Sequence, residues 1–207
     1  MQPAAPSLST VLSRAPVGLN APLVRVETHL GAGLPAFVIV GLPEAVVRES
    51  KERVRSAVIN AGYEFPNQRI TVNLAPADLP KEGGRFDLPM ALGVLAAAGQ
   101  LDERGLARRE FYGELSLSGE LLETRALVPA LLAGVRAEHE LIVPAANAFP
   151  MPAHLDFCEA AALGVNHLTA WRMLFTQARL QAWETVLIFG IGGGVALAAL
   201  QLARMAG

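Results

Sequence analysis

Among 207 residues there is one cysteine, Cys158, and there are two lysines, Lys51 and Lys81. A single cysteine excludes an internal disulfide framework and a cysteine-built zinc cluster, and it fits a reducing compartment. The lysines exclude a P-loop nucleotide site, because neither completes the spacing G-x-x-x-x-G-K-[ST]. Charge is scarce too. Charged residues make up 17% of the chain and the net charge is −2, so any contact with nucleic acid or an anionic membrane has to come from a local patch. The first stretch, MQPAAPSLSTVLSRAPVG, lacks the continuous apolar region of a secretory signal, which makes a cytoplasmic protein the expectation. One run, Val186 to Leu200, is wholly apolar or glycine, and with only Gln201 interrupting it before Ala203 it falls short of the roughly 20 residues of a membrane span. Its three adjacent glycines favour a strand, a turn and a helix over one continuous helix, leaving a membrane-tethered domain as the weaker alternative.

What is there is 52% apolar, enough for a sizeable core, and it is patterned. LVRVETHL (Leu23 to Leu30) alternates, with Val24, Val26 and Thr28 on one face, and Gly31 and Gly33 lead into AFVIVG, which reads as a β-hairpin. In EAVVRESKERVRSAVINAG, Val47, Ser50, Val54, Ala57, Val58 and Ala61 recur at helical spacing and Gly62 ends the run, giving an amphipathic helix. Its outer face carries Arg48, Lys51, Arg53 and Arg55 among Glu49 and Glu52. That face is either a solvated surface or a basic contact for a partner or nucleic acid, and Glu49 stands in favourable order four residues before Arg53.

RITVNLA (Arg69 to Ala75) predicts a strand, LPMALGVLAAAG a helix ending at Gly99, and FYGELSLSGEL a strand, turn and strand; LVPALLAGVRAE is a further helix and ELIVP a last short strand. The alternation of strands and helices predicts an α/β domain with a mixed sheet up to about residue 147, with a boundary near Ala148. One loop looks chemical. ADLPKEGGRFDLP gathers Asp78, Lys81, Glu82, Arg85 and Asp87 around Gly83 and Gly84 before a helix, where backbone N–H groups can hold an anion. The loop reads as an interface or an anion-binding turn, with Asp87 as the cap of the helix that follows.

These stretches, from GLPEAVVRESKERVRSAVINAG through PKEGGRFDLPMALG to GELSLSGEL and LIVPAANA, resemble the N-terminal domain of the magnesium-chelatase-like AAA+ ATPases called ComM or YifB over about residues 8 to 148. The resemblance implies a Lon-protease-like fold, also called ribosomal protein S5 domain 2-like. It also implies an accessory or assembly role beside a hexameric ATPase motor engaged in DNA branch migration during natural transformation. The ATP and magnesium of that family belong to the motor, which this chain is expected to lack. The partners implied are a full-length hexameric relative and DNA, contacted through RESKERVR and PKEGGRF. Lon-type peptidase chemistry is not implied: the place of the nucleophilic serine falls on Arg85 and that of the dyad lysine near Val128. Neither side chain can do the work, and Ser116 and Ser118 have no base that the sequence reveals. No catalytic residue and no metal site is expected.

From Phe149 to Gly207 the chain resembles the middle of a medium-chain alcohol dehydrogenase or quinone oxidoreductase: AAALGVNHLTAWRML is followed by TVLIFG and a glycine turn. The spacing Gly190, Gly193 and Ala196 matches the G-x-x-G-x-x-A variant of that family, so a truncated Rossmann β-α unit is expected, preceded by helices. NADP is the cofactor implied for the intact family, but the ribose-reading residue lies beyond the second strand and outside this sequence. His167 and Trp171 read as packing residues. One β-α unit cannot cover its own apolar faces. Val186, Leu187, Ile188, Leu197, Leu200 and Leu202 must therefore pack on the first domain, meet a partner or self-associate. The alternatives to an accessory domain are thus an oxidoreductase remnant and a fused or truncated product without independent activity.

Overall fold

Alternation builds the central strands. Val11, Val24, Val26, Ile70, Val72 and Leu74 are all at most 1% exposed and lie on one face of a sheet, as the two-residue period of a half-buried strand requires. The computed structural model describes residues 8–18, 20–41, 45–81, 83–148, 150–151, 153–155, 160, 166–190 and 192–206, with the side chains of 45–48 outside that description. The chain divides into two units, Met1–Phe149 and Pro150–Gly207.

In the first unit the strands are β1 (Leu8–Arg14), β2 (Leu23–Gly31), β3 (Ala36–Val40), β4 (Arg69–Ala75), β5 (Arg109–Phe111) and β8 (Glu140–Ile142). They form one sheet in the order β3-β4-β2-β1-β5-β8. The three central strands β4, β2 and β1 are antiparallel, and β3, β5 and β8 add to them in parallel fashion, so the sheet is mixed. A separate hairpin joins β6 (Glu114–Leu115) to β7 (Leu121–Leu122).

The hairpin expected between Leu23–Leu30 and AFVIVG does not form. β4 inserts between the two strands, pairing with β2 from Arg25↔Ala75 to Gly31↔Arg69 and with β3 from Ala36↔Arg69 to Val40↔Asn73. The physical reason is burial. Ile70, Val72 and Leu74 disappear completely under the helices, whereas β3 is only partly covered and takes the edge.

Helix α1 (Ala45–Asn60) turns Ser50, Val54, Ala57 and Val58 inward as its periodicity predicts, and Gly62 ends it at φ +86°. Helix α2 (Asp87–Ala97) packs on β1, β2 and α1, burying Met90, Val94 and Ala96 completely. Its approach to the sheet depends on Gly93: an added Cβ would fall 2.5 Å from the Thr28 hydroxyl, and the Gly93 carbonyl accepts a 2.7 Å hydrogen bond from Ser9 Oγ. Helix α3 (Val128–Arg136) covers β8, with Leu127 and Ala130 beside the buried ring of Tyr112.

In the second unit, α4 (Leu168–Trp171) runs into a π-helical turn at Arg172–Gln177, and α5 spans Gly194–Ala206. The strand expected at TVLIFG is absent: residues 185–190 have no regular structure. A strand needs a ladder partner for its backbone groups, and among the described residues this unit offers none. Leu187 and Phe189 stay 77% and 84% exposed. No helix among the described residues is long and apolar enough to cross a membrane.

The Gly93 contact sets two known effects against each other. Gly93→Ala gains up to about 1 kcal/mol of helix propensity but overpacks the contact at Thr28, at a cost of about 1–3 kcal/mol. The expected outcome is net destabilisation in urea unfolding, with most of the loss recovered when Thr28→Ala is added.

Candidate functional site

The loop before α2 collects most of the charged residues singled out in the sequence, and folding spends them internally. Lys81 is 0% exposed, and its Nζ donates to the carbonyls of Pro76 (2.6 Å), Gly41 (3.1 Å) and Leu79 (3.1 Å). Burial lowers its pKa. An ammonium has three protons, so none is left for a ligand: Lys81 ties the loop to the ends of β3 and β4. Glu82 lies outside the described residues. Gly83, at φ +70°, opens the turn Gly84–Phe86. The Gly84 backbone is not open to an anion on its Cα face, because a Glu114 carboxylate oxygen lies 2.5 Å from where a Cβ would stand. Arg85 is 8% exposed, and its Nη2 donates to the Arg125 carbonyl at 3.0 Å.

Asp87 was expected to cap α2; the structure corrects this. Its carboxylate, fully buried in the first turn, faces α1 and β6. It accepts from Arg53 Nε at 2.8 Å and from the Leu115 amide at 3.2 Å, and the Ser50 hydroxyl also bonds it. Burial raises the pKa of Asp87 against the opposing pull of Arg53. Arg53 thus leaves the basic face on which sequence spacing placed it, and its hydrogen bonds go to Asp87 and Ser50. Of the remaining basic candidates, the Arg48 side chain lies outside the described residues, Lys51 is exposed, and Arg55 lies over the Phe65 ring at 5.0 Å.

A cleft of about 480 Å³ opens beside the loop, lined by Gly83, Gly84, Arg85 and Arg125 but also by Glu114 and Glu123. Two guanidiniums are balanced by two carboxylates, so the cleft does not concentrate anions. Ser116 and Ser118 hydrogen-bond each other at 2.8 Å, and Ser116 Oγ accepts from the Glu120 amide. Neither has a base within hydrogen-bond reach among the described residues, and Val128 is 66% exposed. No group of three or more potential metal ligands occurs among the described residues.

In the second unit, Gly190 stands at φ +69°, its carbonyl accepts the Gly193 amide at 3.0 Å, and α5 begins at the next residue with Ala196 in its first turn. Gly193 and Ala196 line an apolar cleft of about 540 Å³, to which Gly190 does not contribute. His167 Nε2 lies 2.9 Å from Gln201 Oε1 and Trp171 tilts against Phe175 at 4.6 Å, both contacts within this unit.

Sequence reasoning missed a buried polar cluster centred on Glu110. Glu110, wholly buried, accepts from Arg14 Nε (2.8 Å) and Nη2 (2.7 Å) and from the Tyr112 hydroxyl, and its Oε1 lies 2.7 Å from His139 Nδ1. Arg14 Nη1 also donates to the Ala21 carbonyl at 3.0 Å. Burial pushes the Glu110 carboxyl up, but bonds from Arg14, Tyr112 and His139 outweigh it and hold the pKa below its ordinary value. Neither LSTVLSRAP nor REFYG signals the cluster, because no local spacing links residues 96 positions apart.

A depressed carboxylate contributes stability that is fully present above its unfolded pKa and lost as pH falls through the folded value. Glu110→Gln leaves the Arg14 guanidinium buried without its counter-charge, at a cost of about 3–5 kcal/mol in urea unfolding at pH 7. The gap between wild type and variant should be full above the ordinary carboxylate range, begin to shrink as pH falls through that range, and go on shrinking at more acid pH.

A sequence model for the family described as subunit ChlI of Mg-chelatase matches residues 26–147. The chain is 55% identical over 142 residues to the competence protein ComM of Haemophilus influenzae and 49% identical over 141 residues to the protein YifB of Escherichia coli. These matches cover 69% and 68% of this chain but 28% of each relative, so the chain spans under a third of their length. A quinone oxidoreductase of Rattus norvegicus is 51% identical over 59 residues, 28% of this chain and 18% of that enzyme.

Proposed function

The chain belongs to the family of subunit ChlI of Mg-chelatase, and from that premise we propose that its first unit is an accessory, assembly-type module of a ComM-like AAA+ ATPase that processes DNA. The observation that carries this reading is the 55% identity to the competence protein ComM over 142 residues, with 28% of that protein covered. At that identity the same module belongs to a chain more than three times as long as the matched stretch. On that resemblance the frame is of the Lon-protease type without its chemistry, since the places of the serine and the lysine fall on Arg85 and near Val128. The module binds; it does not cut.

Helix α3 supports an assembly role. Val128, Leu132 and Val135 stand at i, i+4 and i+7, one stripe of the helix, and are 66%, 56% and 65% exposed. Such an apolar stripe on a water-facing helix is what a partner surface covers. The test is association with Haemophilus influenzae ComM from which the matched segment has been deleted. Wild-type chain is expected to bind. Leu132→Glu, which places a charge in the middle of the stripe, should weaken binding about tenfold or more without changing the unfolding midpoint. Equal binding by both proteins would remove the stripe from the interface.

Contact with DNA, on this reading, falls to the larger assembly. With Arg53 and Lys81 engaged internally, Lys51 and Arg55 are the described basic residues of RESKERVR and PKEGGRF left to meet a phosphate. Binding of the isolated chain to duplex DNA should therefore be weak, with a log–log salt slope no steeper than about −2. A slope near −6 would return the basic face to the reading.

A further inference from the structure

A cleft of about 810 Å³ in the first unit lies where helices α1 and α2 both end, away from the loop described above. Its wall includes Ile59 from the last turn of α1, Ala97 and Ala98 from the end of α2, and Tyr63, Glu64 and Gln100 from the segments that follow. Both helices close by glycine turns. Gly62 and Gly99 take φ +86° and +70°, the Tyr63 amide donates to the Val58 carbonyl at 3.1 Å, and the Gln100 amide donates to the Leu95 carbonyl at 2.9 Å. The carbonyls of Ala97 and Ala98 accept no hydrogen bond among the described residues.

Each helix C-terminus carries the equivalent of about half a negative charge. Chains usually offset this with Lys, Arg or His in the last turn, and neither α1 nor α2 has a basic residue there. The one formal charge in the lining is Glu64, of the same sign. Its backbone is held in place on both sides, because Gln100 Oε1 accepts the Glu64 amide at 3.1 Å and Gln100 Nε2 donates to the Glu64 carbonyl at 2.7 Å. Around this negative field stand Ile59 and Tyr63, 48% and 47% exposed although large and apolar. The chain itself shows how a cation is received at this wall, with Arg55 lying over the Phe65 ring at 5.0 Å.

We propose that this cleft is a docking site for a basic side chain, an arginine flanked by apolar residues, on a partner protein. The guanidinium meets the two helix ends and Glu64, where charge-assisted hydrogen bonds to carbonyl and carboxylate are available. The flanking apolar side chains cover Ile59 and Tyr63. Nucleic acid is disfavoured by the same field, since its phosphates would face Glu64 and two negative helix termini. The site is independent of the loop and of the α3 stripe, so its failure leaves the assembly reading untouched.

The test uses the full 207-residue chain and two probes, acetyl-Leu-Arg-Leu-amide and acetyl-Leu-Glu-Leu-amide, followed by amide chemical shifts in ¹⁵N spectra up to about 10 mM. The arginine probe should move the amides of Tyr63, Glu64, Ala98 and Gln100 saturably, and the glutamate probe should not. Glu64→Gln and Tyr63→Ala, both at exposed positions, should each weaken the arginine probe about threefold while the remaining spectrum stays in place. Equal shifts from both probes would make the cleft merely apolar. Absence of shifts at these amides, or full affinity in both variants, would overturn the proposal.

Discussion

β1 and β5 share one ladder pair, Leu12↔Glu110, yet the sheet continues across them to β8. What holds this joint is the buried Glu110 carboxylate, gripped by Arg14 from β1, Tyr112 from the segment after β5, and His139 from the approach to β8. A single ladder pair would be a weak seam between the antiparallel core and the parallel extension. A buried ion pair with its remaining lone pairs satisfied makes the seam specific, because any shift in register would leave a charge unpaired in the interior. The second apolar cluster, Ala21, Tyr112, Leu127 and Ala130, is assembled around the same cluster.

The same economy governs the charged loop. A chain with 17% charged residues has few to spare, and folding puts Lys81 on three carbonyls, Arg53 on Asp87 and Arg85 on the Arg125 carbonyl. These three cations close local debts of hydrogen bonding, whereas Lys51 and Arg55 stay exposed. The surfaces left over are of another kind. The α3 stripe is apolar, and the cleft below α1 and α2 is aromatic and negative. Both suit protein contacts better than phosphate, in keeping with a module that forms less than a third of its longer relatives.

Much of this was legible beforehand, and for definite reasons. α1 could be read because Ser50, Val54, Ala57 and Val58 recur at helical period and Gly62 supplies the stop. β4 could be read to the residue because RITVNLA alternates without interruption. β1 could not: LSTVLSR places Ser9 and Ser13 on the buried face, and hydroxyls hide the apolar alternation that marks a strand. The tail strand was read and failed to form, since the apolar run TVLIFG states a preference for extended backbone and cannot supply the neighbour that satisfies it.

By itself the sequence determined the family, the α/β class, most helix and strand positions and the absence of a P-loop, because each of these is written in local spacing or in residues that are simply missing. Tertiary structure alone decided strand order, the insertion of β4 between β2 and β3, and the fate of every charge: Arg14 and Glu110 lie 96 residues apart, Arg53 and Asp87 34 apart. Pairing across such distances follows from which faces are buried together, and burial is a property of the assembled sheet and helices that no window of neighbouring residues contains.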